Sequence, residues 1–136
     1  MTAPFILRTI DHVVIRANDT QRLIAFYVEA LGCKIAWDRP ELGLTHLTAG
    51  NAQIDIVCKS GPLGKSGPSP DAGTGKNVDH FCLRIEPFSF ESLQAHFQKF
   101  GIRLDPPCER FGATGYGPSI YFADPEGNGI ELKKAT

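Results

Sequence analysis

Hydrophobic and polar positions alternate along most of this chain, and the alternation gives way twice to helical spacing. Residues 8–17 alternate and predict a strand. Residues 21–31 carry apolar side chains at helical spacing, with capping residues before them and Gly32 after them, and predict a helix. Three further alternating stretches predict strands over 33–39, 44–48 and 53–59.

The second part of the chain repeats this order after a break. Residues 60–77 are rich in glycine and proline without hydrophobic periodicity, and predict a linker long enough to act as a mobile flap. After it the pattern predicts a strand over 78–85 and a helix over 88–100 capped by Ser89. The last strands are predicted over 102–104, 119–123 and 129–133.

The repetition extends to the residues themselves. Residues 11–16 read DHVVIR, and residues 79–84 read DHFCLR. Residues 50–56 read GNAQIDI, and residues 127–132 read GNGIEL. Each half therefore opens with an Asp-His strand and closes with a carboxylate between aliphatic residues.

The predicted fold class is α+β, with two tandem βαβββ modules in one domain spanning 1–136. Module one covers 8–59, the linker 60–77 and module two 78–134. A half of this size cannot bury its sheet alone, so we expect the two sheets to form an open eight-stranded, barrel-like cleft, within one chain or between two.

Composition narrows the function classes. The chain has 136 residues, 42% of them hydrophobic and 21% charged, and a formal net charge of -1, so no basic surface indicates nucleic acid. No apolar run reaches the ~20 residues that cross a bilayer, so no membrane partner is expected. The four cysteines form no C-x-x-C pair and no signal peptide is evident, which favours a cytoplasmic protein.

Candidate chemistry follows from the strand faces. His12 and Arg16 share one face of their strand, and His80 and Arg84 share the matching face. The aliphatic neighbours of Asp55 and Glu131 turn these carboxylates to the same side of the sheets. Two imidazoles with oxygen donors suit Mn, Fe(II), Co, Ni or Zn. Two alternatives stay open: salt bridges from the carboxylates to the arginines, or a duplication that kept the pattern without the metal.

These residues resemble the vicinal-oxygen-chelate superfamily, which includes glyoxalase I, fosfomycin-resistance enzymes, extradiol dioxygenases and bleomycin-binding proteins. Its most specific stretch here is 119–131, SIYFADPEGNGIE, which contains the superfamily's DPEGN turn. The resemblance implies a homodimer in which both subunits can supply ligands. It also implies a divalent metal (Zn, Ni, Co, Mn or Fe) on His12, His80 and Glu131, with Asp55 at the fourth position.

Three details separate the branches of the superfamily. Arg16 stands where glyoxalase I grips a glutathione carboxylate. Tyr121 begins the tail of the extradiol dioxygenase signature, but 111–115 lacks the histidine expected before it. Val14 replaces a threonine of the fosfomycin enzymes. The glycine-rich segment 112–117 is expected to form a flexible lip over the cleft, with Arg110 and Tyr116 touching the substrate.

The leading hypothesis is a metal-dependent, glyoxalase-I-like lyase or isomerase. It would act on a small oxo substrate or a glutathione-type thiol adduct through a metal-stabilised enediolate, with Glu131 moving the proton. Substrate contacts would come from Arg16, Tyr121, Arg110 and Tyr116. The first alternative is a metal-free, bleomycin-resistance-like binding protein with its cleft lined by aromatic residues. The second is an Fe(II) extradiol-type dioxygenase.

Overall fold

The computed structural model describes residues 4–65 and 78–135, so most of the predicted linker, and with it the expected flap, lies outside the described residues. The first module contains β1 (His12–Ala17), α1 (Thr20–Glu29), β2 (Ile35–Arg39), a short 3-10 helix (Pro40–Leu42), β3 (Leu44–Ala49) and β4 (Ala52–Cys58). The second contains β5 (His80–Ile85), α2 (Phe90–Gln98), β6 (Cys108–Gly112), β7 (Gly115–Ala123) and β8 (Gly129–Lys134).

The two modules have the same sheet topology. The first sheet has the strand order β1-β4-β3-β2, and the second has β5-β8-β7-β6. In each sheet the opening strand pairs parallel with the closing strand, and the other neighbours are antiparallel. The predicted α+β class and the tandem βαβββ arrangement are confirmed.

Local capping sets the start of both helices. The Asp19 side chain accepts a hydrogen bond from the Arg22 N–H at 3.1 Å, and α1 begins at the next residue. The Ser89 hydroxyl accepts one from the Ser92 N–H at 3.3 Å, as its predicted capping role requires. Neither helix of the described residues is long and apolar enough to span a membrane.

The two modules share one hydrophobic core. Phe26 of α1 packs edge-on against Phe100 and Phe122 of the second module, with ring centroids 6.4 and 6.5 Å apart. The buried face of each sheet turns toward this core, as Ile15 and Ile130, both 0% exposed, illustrate. The opposite face of each sheet therefore points away from the core, and we call it the front face.

The DPEGN turn fastens the second module to the first. The Tyr27 hydroxyl donates to Asp124 Oδ2 at 2.8 Å inside the core. The Glu126 carboxylate accepts the N–H groups of Asn18 and Asp19 at 2.8 and 2.7 Å, at the N-terminus of α1. A carboxylate is favourable there because the first N–H groups of a helix lack partners within it. The turn thus joins the modules, in addition to shaping the approach to Glu131.

One predicted strand was wrong. Residues 102–104 form no strand, although Leu104 is buried at 3% exposure in the shared core. The outer strand is Cys108–Gly112, and it pairs with β7 in a hairpin whose turn ends at Gly115, with φ of 100°. The glycine-rich segment expected to be a flexible lip is therefore part of this hairpin. The short alternation in 102–104 reflects the packing of irregular chain against the core. The Pro106-Pro107 pair that follows has no N–H groups to donate to a neighbouring strand, so no strand extends through it.

Candidate functional site

The front face of the first sheet holds a cavity of about 320 Å³. Its polar lining consists of His12, Arg16, His46 and Asp55, surrounded by aliphatic side chains. Three of these residues were predicted site residues, and β1 and β4 bring them together as expected. His46 was not predicted.

His46 lies directly across the ladder from Asp55 and contacts its carboxylate. His46 Nδ1 is 3.0 Å from Asp55 Oδ2, and Asp55 is 4% exposed. The imidazole stacks on Trp37 at 5.9 Å, and the Arg39 guanidinium covers the Trp37 ring at 4.2 Å. Within the described residues, His46 Nε2 and Asp55 Oδ1 are buried without a hydrogen-bond partner, so both remain available to a ligand.

Counting across the β3–β4 hairpin could have found His46. The turn at Gly50 and Asn51 places Ala49 opposite Ala52, and three further steps place His46 opposite Asp55. The predicted strands 44–48 and 53–59 contain both residues, but His46 has no counterpart in the second module, so the repeat does not single it out.

Arg16 lies beside the same cavity and is partly engaged by backbone. Its Nε donates a hydrogen bond to the Gly64 carbonyl at 3.1 Å. This contact anchors the chain just after the first module against the cavity wall.

The front face of the second sheet centres on Glu131. Glu131 Oε2 accepts a hydrogen bond from the Ser119 hydroxyl at 2.6 Å, and Oε1 is 3.3 Å from His80 Nε2. Burial opposes ionisation of Glu131, but hydrogen bonds from Ser119 and Tyr121 and the nearby His80 outweigh it and lower the carboxyl pKa. Glu131 is therefore an ionised carboxylate at 6% exposure, held among donors.

Both Asp-His pairs have the same geometry. His12 Nδ1 is 2.7 Å from Asp11, and His80 Nδ1 is 2.7 Å from Asp79. These carboxylate contacts raise the pKa of each imidazole. A carboxylate on Nδ1 fixes the orientation and tautomer of the ring and leaves Nε2 for another contact, which is the arrangement found behind metal-binding histidines.

The remaining predicted residues divide between the two sides of the second sheet. The Tyr121 ring meets His80 edge-on at 5.9 Å, and the Arg110 guanidinium lies 5.7 Å from the Tyr121 ring. Tyr116 pairs with Phe111 at the exposed end of the hairpin, with centroids 5.2 Å apart. Because side chains alternate along β7, Tyr116 is on the opposite face from Tyr121 and is not brought to Glu131.

The predicted metal ligands thus form two half-sites. Across residues 4–65 and 78–135 of a single chain, no three His, Cys, Asp or Glu side chains cluster closely enough to hold a metal ion. His12 and Asp55 are on the first front face, and His80 and Glu131 are on the second. The donor types, the carboxylate on Nδ1 of each histidine and the unpartnered Asp55 Oδ1 fit a divalent metal, so the metal site stays a prediction that requires the two faces to meet.

This fold defines a class of proteins. The sequence profile of the Glyoxalase/Bleomycin resistance protein/Dioxygenase superfamily matches residues 9–132, and the chain belongs to that superfamily.

Individual relatives agree with this assignment. The glyoxalase domain-containing protein RDO1 of Mycosarcoma maydis is 32% identical over 127 residues, covering 93% of this chain and 68% of the relative. The virulence protein STM3117 of Salmonella typhimurium is 31% identical over 130 residues, covering 95% and 85%. Its crystal structure aligns with a TM-score of 0.78 and 27% identity, covering 97% of this chain and 100% of that one.

A more distant relative shares the fold. The fosfomycin resistance protein FosX of Listeria monocytogenes, in complex with Mn(II) and 1S,2S-dihydroxypropylphosphonic acid, aligns with a TM-score of 0.68 and 18% identity. The alignment covers 96% of this chain and 93% of that one.

Proposed function

We propose that two copies of this chain form a homodimer in which the first front face of each copy meets the second front face of the other. His12 and Asp55 of one chain would then face His80 and Glu131 of the partner subunit. Exposed apolar side chains support this pairing, since Val14 and Trp37 on the first front face are 50% and 57% exposed. The dimer would close two equivalent clefts of the kind expected from the duplicated sheets.

We further propose that each cleft holds one divalent ion on His12, His80 and Glu131. The observation that carries this proposal is the matched pair of Asp-His contacts at Nδ1, beside a buried and ionised Glu131. When bound, such an ion supplies Lewis-acid polarisation of two neighbouring substrate oxygens. The Mn(II) complex of FosX shows that a protein of the same fold binds a metal of this type.

The function that these residues support best is proton transfer next to a carbonyl group, as in a glyoxalase-I-like lyase or isomerase. Glu131 is ionised and can accept a proton from the substrate carbon at Oε1, while Ser119 holds Oε2 in place. Tyr121 and Arg110 flank this position and can contact the bound substrate. Arg16, across the cleft, lies at the wall of the first cavity, and its guanidinium can bind the carboxylate of a thiol adduct.

Asp55 has a supporting role in this arrangement. Its Oδ2 is held by His46, so only Oδ1 remains to approach the cleft. His46 therefore positions Asp55 and limits it to a single donated oxygen.

The test combines metal removal with variants of Glu131. Protein treated with a chelator is assayed on the adduct of glutathione and an oxoaldehyde, then reloaded separately with Ni, Co, Mn and Zn. We expect activity to disappear and return, and Glu131→Gln to lose about 10²–10⁴-fold, the usual contribution of a general base. Glu109→Gln, on the exposed outer strand, is the matched control. Equal turnover by metal-free protein would refute the metal mechanism.

One observation favours a second function, metal-free sequestration of a flat molecule. Trp37 is exposed beside the first cavity, with Arg39 over its ring and His46 stacked against it. Such a surface binds planar and aromatic ligands. Elemental analysis separates the two functions: about one metal ion per chain supports the enzyme, and none after gentle loading supports the binding protein.

A further inference from the structure

Lys133 is a buried cation on the second front face. The residue is only 4% exposed, although lysine is almost never fully buried without a partner. None of the salt bridges among the described residues involves its ammonium group. The enclosed polar atoms without a partner in the described residues belong to Arg39, His46 and Asp55, so the Lys133 ammonium keeps access to solvent at the end of a buried stem, and an anion can reach it.

Two glycines make the space in which the Lys133 side chain lies. A Cβ atom at Gly117 would come 3.1 Å from Lys133 Nζ, and one at Gly112 would come 3.3 Å from both Cδ and Cε. Both glycines belong to the hairpin formed by β6 and β7. The absence of side chains at these two positions leaves room for the Lys133 side chain against the hairpin.

The surroundings of Lys133 are positively charged. Ladder pairing places Arg84 beside Lys133 on one side and Ser119 on the other. Arg110 is on the same face, because it pairs with Gly117, two residues before Ser119. Glu131 is the acid of this face, and it is already engaged by Ser119 and His80.

We propose that Lys133 binds the carboxylate or phosphonate group of a small anionic substrate, with Arg84 as a second cation at the edge of the same site. Lys133 and Glu131 are two residues apart on one strand, which separates their Cα atoms by about 7 Å. A short acid can therefore place its anionic group on Lys133 and its reacting carbon at Glu131. This inference rests on the proposed function for the position of the reacting end, whereas anion binding is tested separately.

The experiment uses the full chain, treated with a chelator and free of metal. Methylphosphonate is titrated into the ¹⁵N-labelled protein, and binding is followed by amide chemical shifts. We expect saturable binding with shifts centred on β8 and the β6–β7 hairpin. Lys133→Met should weaken it by more than about tenfold, as expected when a charge-assisted contact is lost. Lys134→Met, the exposed neighbour on the same strand, should bind as the wild type does.

A second variant keeps the charge of Lys133 but fills the space beside its ammonium group. Gly117→Ala places a methyl group 3.1 Å from the ammonium nitrogen, which must shift to make room, and we expect weaker methylphosphonate binding with the charge retained. Uncharged dimethyl methylphosphonate should not compete with the anion. The wild type should melt about 5 °C higher at a methylphosphonate concentration tenfold above Kd, and Lys133→Met should show no such shift.

The outcomes distinguish this site from the metal site. Unchanged metal stoichiometry in Lys133→Met, together with lost anion binding, supports both proposals. Equal methylphosphonate affinity in the wild type and Lys133→Met, or no binding to the wild type, overturns the anion site whatever the metal result. If the wild type binds methylphosphonate but no metal, the proposed function is overturned and the anion site is not.

Discussion

The contact between Tyr27 and Asp124 gives the sharpest prediction about how the modules are joined. Tyr27→Phe removes one hydroxyl from a position that is 0% exposed. Asp124 Oδ2 then keeps a single donor, the Asn128 side-chain amide at 2.8 Å. Hydrogen bonds to charged groups contribute about 1.5–3 kcal/mol, so we expect the free energy of unfolding to fall by about 2 kcal/mol. For a domain of this size that loss lowers Tm by about 7 °C.

Urea denaturation followed by circular dichroism measures this loss, with thermal melts as a second readout. Tyr116→Phe is the matched control, because Tyr116 is 76% exposed and the same hydroxyl is removed in solvent. We expect the control to change the free energy of unfolding by less than about 0.5 kcal/mol. Equal losses in both variants would refute the claim that the DPEGN turn fastens the modules through a buried hydrogen bond.

Three further predictions concern the front faces. Asp79→Asn should lower the pKa of His80 in metal-free protein, measured by NMR titration. Asp79 raises the pKa of His80 in the folded state. The contact should therefore stabilise the fold fully below the unfolded pKa near 6.5, and this stabilisation should be lost as pH rises through the folded pKa. An unchanged His80 titration in Asp79→Asn would contradict this. Partial burial and the nearby Glu131 raise the pKa of Cys82 to about 11. Cys82 should therefore react with iodoacetamide at pH 8 roughly a hundredfold more slowly than an ordinary thiol. A rate equal to that of Cys108, which is also exposed, would contradict this. His46→Phe keeps the stack on Trp37 but removes the contact with Asp55. We expect the free energy of unfolding, measured by urea titration, to fall by about 2 kcal/mol. No loss would mean that the contact between His46 and Asp55 contributes nothing to stability.

Duplication made the fold predictable from the sequence. Each module repeats the Asp-His strand, the helix and the closing carboxylate strand, so a weak signal in one half is supported by the other. The aliphatic neighbours of Asp55 and Glu131 also predicted the side of the sheet on which these carboxylates lie. Ile54 and Ile130 are buried at 2% and 0% exposure, as this prediction requires. The alternation of side chains along a strand is a local property, so it can be predicted directly from the sequence.

Properties that depend on contacts across strands were harder to predict. The outer strand of the second module was placed at 102–104, because the apolar residues that fill the core there imitate a strand. His46 was missed because its partner is on another strand. The side chain of Lys133 depends on the space left by Gly112 and Gly117, which only the folded hairpin brings beneath it.

The central claim is that each metal site is shared between two chains, and a mixed dimer tests it most directly. Chains carrying His12→Ala and His80→Ala, each with a different affinity tag, are co-expressed, and the heterodimer is isolated and analysed for bound metal. A shared site predicts about one ion per heterodimer and almost none in either parent, because one cleft regains both histidines and the other lacks both. A heterodimer as empty as its parents would contradict the claim.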